Sequence, residues 1–167
     1  MTNAIKQSFH FGRFFFSLKG RLTRAPFIAF MLPMKLLSTA ILTAKYISLP
    51  LIPAFALGLI ALQLVLAWPQ YAIIVKRLHD IGRSALFAIH IPVYMIAWLY
   101  YLFFFYYLSH LQPLNLLPYV AYNLLEKIVV FYGYVLFFVL AFVPGTKGMN
   151  LYGPHPRHTA QSISNVF

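Results

Sequence analysis

Lys76-Arg77-Leu78-His79-Asp80-Ile81-Gly82-Arg83-Ser84 gathers three cations, a histidine and one of the chain's two acidic residues into nine positions. Apolar runs flank it, residues 51–75 before it and 85–108 after it. Each run is long enough for a helix to cross ~30 Å of hydrocarbon at ~1.5 Å per residue. A charged knot between two such runs reads as a hairpin turn at a membrane surface.

Composition supports a membrane setting. The 167 residues are 62% hydrophobic and only 9% charged, with a mean hydropathy of +0.77. A soluble domain carries roughly a quarter charged residues. With so few polar side chains, most of the surface must face lipid, and the 19% of aromatic residues suits bilayer interfaces, where Tyr and Trp gather. The formal charge is +11, from 13 Lys and Arg against Asp80 and Glu126. In a soluble protein this excess would suggest nucleic acid. Here the cations sit in short segments between apolar runs, which points instead to the anionic headgroups of a phospholipid bilayer. The absence of cysteine excludes disulfides, thiolate nucleophiles and cysteine metal sites. No signal peptide is expected, because Phe14-Phe15-Phe16 is too short for an apolar core.

The expected architecture is an all-α integral membrane protein, a single membrane domain over residues 1–167. An interfacial N-terminal segment, residues 1–24, interleaves Lys6, Arg13 and Lys19 with five Phe between positions 9 and 16, so rings can sink and charges stay wet. Four transmembrane helices are expected at residues 25–46, 51–75, 85–108 and 119–143, and a turn-rich tail covers 144–167. Pro26 suits a first helical turn, while Pro33 and Pro92 predict kinks. Trp68 and Tyr71 form an aromatic belt at the end of the second span, and the rings from Trp98 to Tyr107 form another at the far end of the third. Ala54 and Gly58 have the spacing that lets a neighbouring helix approach closely. Ser109 to Pro118 reads as an outside loop.

Lys and Arg fix the orientation. Lys6, Arg13, Lys19, Arg21 and Arg24 precede the first span; Lys76, Arg77 and Arg83 lie between the second and third; Lys147 and Arg157 follow the fourth. The other two loops offer only Lys45. Both termini and the Lys76–Ser84 turn are therefore expected in the cytoplasm.

Three polar segments then share one face: Gly20-Arg21-x-x-Arg24, Arg77-Leu78-His79-Asp80-Ile81-Gly82-Arg83-Ser84, and Pro144-Gly145-Thr146-Lys147-Gly148-x-Asn150-x-Tyr152-Gly153-Pro154. In this order and at this spacing they resemble the bacterial domain-of-unknown-function family eight-hundred-and-five, the YhaH/YhaI-like inner-membrane proteins, over about residues 9–156. The resemblance implies a small multi-pass protein of the bacterial inner (cytoplasmic) membrane with no established biochemical activity. Pro26 and Ile28 stand where the family has an acidic residue and a Trp, and Leu151 stands where it has an Arg.

Within the central turn, Arg77, Asp80 and Arg83 are spaced three apart and can meet on a helical face, and Gly82 is placed as a left-handed cap. Asp80 reads first as a counter-ion pinning the turn or tying it to Arg21 or Arg24. A His79–Asp80 base and orienter would be the catalytic alternative. With Glu126 as the only other acid, neither a metal site nor a cofactor is expected. Gly145-Thr146-Lys147-Gly148 lacks the order of a phosphate loop and reads as tight turns. Inside the spans, Lys35 and Glu126 are the candidate intramembrane charge pair.

The leading functional expectation is a non-enzymatic protein. Its cytoplasmic face, through Arg21, Arg24, Arg77, His79, Asp80, Arg83, Asn150 and Tyr152, would bind anionic lipid headgroups or a partner protein. It would act as a homo-oligomer or as an accessory subunit of a larger membrane complex. One alternative is a small oligomeric transporter or channel using Lys35 and Glu126; another is a membrane enzyme on a phosphorylated lipid with His79 as base.

Overall fold

A computed structural model describes residues 11–48, 53–103 and 116–154, and its regular structure there is helical. A short α1 (Phe11–Phe16) is followed by α2 (Arg24–Ser48), α3 (Pro53–Asp80), a 3₁₀ turn (Ala85–Ala88), α4 (His90–Phe103) and α5 (Leu116–Phe142). Among the described residues, three stretches are long and apolar enough to cross a membrane: Arg24–Lys45, Leu57–Asp80 and Leu124–Phe142. The chain is thus a helical membrane protein. The rest of the outside loop and of the third expected span falls at residues 104–115, outside the described residues.

Proline marks several of the helix starts. Pro53 opens α3, and Pro26, Pro92 and Pro118 each occupy the third position of a helix, where the missing N–H costs no intrahelical bond. Pro92 therefore does not kink a helix begun at Ala85. The chain opens there as a 3₁₀ turn, and α4 starts at His90. Pro118 likewise lies inside α5 rather than in a loop. Pro33 and Pro69 are interior, and α2 and α3 run on through them.

The C-terminus of α3 closes as the turn chemistry requires. Arg83 N–H donates to the Leu78 carbonyl at 2.9 Å and Gly82 N–H to that of His79 at 3.1 Å, the paired bonds of a Schellman motif. Gly82 holds φ +73°, which a side chain would strain.

α3 is the central element. Residues 72–78 are buried without a break, and Phe27 and Met31 of α2 with Leu136 and Leu140 of α5 join its Ile73, Ile74 and Leu78 in the core. Leu36, Val65, Phe131 and Phe142 face outward and exposed, as lipid-facing residues would.

Three expectations are corrected. Phe15 enters the protein core, and Phe14 and Phe15 pack on Phe30 with ring centroids 4.8 and 5.5 Å away; of this group Phe16 is exposed. Protein, rather than the headgroup layer, receives these two rings, while residues 1–10 lie outside the described set. Trp98 is buried rather than in an outer belt, whereas Trp68 is exposed 6.0 Å from Tyr71. Among the described residues, none comes within 4 Å of a Cβ position at Gly58, so none of them makes a close helix approach there.

Candidate functional site

The three polar segments converge at the Asp80 end of the bundle, where they interlock. Asp80 lies at the end of α3 with one turn of helix between it and Arg77, so the two side chains share a face. Arg77 pairs with one carboxylate oxygen of Asp80, and Arg21 pairs with the other at 3.1 Å. All three side chains are at most 1% exposed. Two guanidinium groups on one carboxylate leave a buried positive charge, so the remaining donors need acceptors.

Backbone carbonyls supply them. Arg77 donates through Nε to the Leu140 carbonyl at 2.9 Å and through Nη2 to that of Val143. These belong to the last turn of α5 and the residue after it, where helical carbonyls lack partners and the helix dipole favours a cation. A residue of α3 thus caps α5. Arg21 donates to the carbonyls of Thr146 at 2.7 Å, Gly148 at 2.8 Å and Gly153 at 3.1 Å, binding the tail beneath the bundle.

The tail fits because of what it lacks. A Cβ on Gly145 would stand 2.8 Å from Asp80 Cγ, so only glycine lets the backbone pass the carboxylate. Thr146 N–H then donates to the Asp80 carbonyl at 2.8 Å. Asn150 donates to the His79 carbonyl at 2.9 Å, and the Tyr152 ring stacks on the His79 imidazole at 3.8 Å. His79 Nδ1 meets the Gly20 carbonyl at 3.2 Å.

Six of the eight residues expected at this face are therefore brought together: Arg21, Arg77, His79, Asp80, Asn150 and Tyr152. Arg24 and Arg83 stay exposed, although Arg24 reaches the Phe142 carbonyl at 3.4 Å. Asp80 serves Arg21 and Arg77, and neither of its oxygens orients His79.

Inside the span, Glu126 takes a different partner from the one expected. Lys45 Nζ lies 2.9 Å from its Oε1, with both side chains buried, and Tyr94 donates to the same oxygen at 3.3 Å. The Trp98 ring covers the ammonium at 3.9 Å, a cation–π contact. Two features favour Lys45 over Lys35. First, α2 continues to Ser48, which places Lys45 inside the helix rather than in a loop. Second, side chains lean toward their own helix N-terminus. The Arg24 end of α2 meets the Phe142 end of α5, so the helices run oppositely; Lys45 and Glu126 lean together, while Lys35 leans away.

Lys35 instead lies 5.4 Å from the centroid of the Tyr134 ring. It lines a cavity of about 70 Å³ together with Ser38, Gln63, Gln70, His90 and Tyr94. A charged Lys at the bilayer centre costs roughly 2.5–3.5 kcal/mol on insertion scales, and no described acid pairs with it.

A helical membrane protein with a buried arginine–carboxylate clasp closing one end is the class these features define. Residues 15–154 match the family described as "Protein of unknown function (DUF805)", and the chain belongs to that family. No curated protein and no solved structure matches the chain.

Proposed function

We propose that the protein is a non-enzymatic, four-span protein of the bacterial inner membrane whose clasped end faces the cytoplasm and holds anionic phospholipid at its rim. The observation that carries this reading is the fate of the cations. Arg21 and Arg77 are consumed by the clasp, whereas Lys19, Arg24, Arg83 and Lys147 remain exposed around it. Toward the other end, Lys45 is buried against Glu126, and Lys127 is the exposed cation among the described residues. Of the four motif arginines expected at the headgroups, Arg24 and Arg83 keep that role in this reading, and Lys19 and Lys147 take the place of Arg21 and Arg77, each worth ~1 kcal/mol beside an anionic leaflet.

Helix direction supports four spans. α3 ends and α5 ends beside each other at the clasp, so the chain between them must return to the far side before α5 begins. The 3₁₀ turn and α4 together advance about 29 Å, close to the hydrocarbon thickness.

Trp68 is exposed and Trp98 buried, so Trp68 is the natural reporter. Reconstituted protein should be quenched several-fold more efficiently by brominated phosphatidylglycerol than by brominated phosphatidylcholine. The preference should vanish when Lys19, Arg24, Arg83 and Lys147 become Gln, with helix content unchanged by circular dichroism. Equal quenching of the wild-type protein by the two lipids would overturn the reading.

A further inference from the structure

Both acidic side chains of the chain are already committed: Asp80 to Arg21 and Arg77, Glu126 to Lys45. Lys35 therefore has no side-chain carboxylate left to take as counter-ion. It lies eleven residues into α2, about 16 Å from the clasped end, so its head group is near mid-membrane. Among the described residues its Nζ has neither an ion-pair nor a hydrogen-bond partner.

The surroundings of Nζ are shaped and polar. His90 is 8% exposed, and its Nε2 is without a hydrogen-bond partner. Gly133 of α5 faces both groups: a Cβ there would lie 3.2 Å from Lys35 Nζ and 3.3 Å from His90 Nε2. The two nitrogens thus converge on the space that the missing side chain leaves open. A mid-helix glycine is unfavourable relative to alanine, and here it keeps that space clear.

Two polar pairs of the lining are satisfied within the protein. Gln70 donates to Ser38 at 2.8 Å, and Thr39 bonds Tyr134. Among the described residues, Gln63 Oε1 and His90 Nδ1 are the other buried unpartnered atoms of the lining, and Gln63 Oε1 is suited to a bridging water. Leu42, Ala67, Ile91, Val129 and Val130 form the apolar part of the lining.

We propose that this cavity is an intramembrane binding site for a monocarboxylate. One carboxylate oxygen sits on the Lys35 ammonium. The other accepts from His90 as its Nε2–H tautomer. The planar, two-oxygen anion matches a pair of donors flanking the Gly133 backbone, and its alkyl part meets the apolar wall. The carboxylate supplies the charge that the chain itself does not provide. The ligand is either a fatty acid arriving from the bilayer or a short carboxylate arriving from water; the chemistry that recognises it is the same.

The test is thermal unfolding of the full chain in neutral detergent at constant chloride, titrated with acetate, decanoate, and the neutral controls acetamide and decanol. At least one acid should raise Tm with concentration, by roughly 5–10 °C when it exceeds Kd about a hundredfold. Acetate acting alone identifies a water-borne ligand, and decanoate acting alone a bilayer-borne one. Lys35→Met should lose the response while its ligand-free Tm equals or exceeds wild type, since a buried charge has been removed. Gly133→Ala, whose methyl stands between the two nitrogens, should weaken the response in a protein that keeps Lys35. The proposal is overturned if neither acid acts, if the neutral controls or a chloride titration act equally, or if Lys35→Met or Gly133→Ala responds like wild type.

Discussion

At the scale of single residues, Asp80 and Gly145 show how a few atoms decide whether one end of the bundle closes. Asp80 neutralises part of two buried guanidinium charges, and removing one partner of such a group typically costs ~3–5 kcal/mol. Asp80→Ala should therefore lower stability by that order in detergent unfolding, far more than His79→Ala, which loses a stacked ring and one hydrogen bond. Gly145→Ala drives a methyl into the carboxylate and should cost ~1–3 kcal/mol as overpacking does. Gly58→Ala, with open space around it, is the matched control and should be neutral or mildly stabilising. If the two glycine variants unfold at the same temperature, the close passage at Gly145 is not what holds the tail.

At the scale of elements, the helices are joined by charge as much as by apolar packing. Arg77 of α3 caps α5, and Lys45 of α2 meets Glu126 of α5. For the second pair, Lys45→Met and Glu126→Met should each be strongly destabilising, because each removes the counter-charge of a buried group. The double variant should recover most of the loss. A double-mutant cycle of unfolding free energies measures this; simple additivity would mean that the pair contributes no coupling. Gly82 belongs to the same scale, since its positive φ sets the exit of α3. Gly82→Ala should cost ~1–2 kcal/mol, read from the same unfolding curves.

The whole molecule raises the question of sidedness. The chain is free of cysteine, so single introduced cysteines report without background. Leu151 is 95% exposed beside the clasp. Leu151→Cys should react with a membrane-impermeant maleimide in inside-out vesicles and not in right-side-out spheroplasts, and a cysteine at Asn115, ahead of α5, should show the opposite pattern. Labelling of both positions from one side would reject four spans.

What could be read from the residues alone follows from solvent and spacing. Hydropathy announced a helical membrane protein, because unbroken apolar runs of ~20 residues have the length a helix needs to cross a bilayer. The three motifs identified the family, and local rules placed the Gly82 cap, the first-turn Pro26 and the Arg77–Asp80 pair, all of which depend on residues within a turn or so of each other. Tertiary structure decided the rest. Asp80 serves two arginines 59 and 3 residues away, and Glu126 finds Lys45 across 81 residues; sequence spacing carries no record of which helix faces lie opposite. Trp98 turned inward to cover Lys45, and Gly133 opened space between Lys35 and His90, for the same reason. The turn that began as three cations and one acid became a closed clasp only because helix packing aimed Arg21 and the last carbonyls of α5 at it from distant parts of the chain.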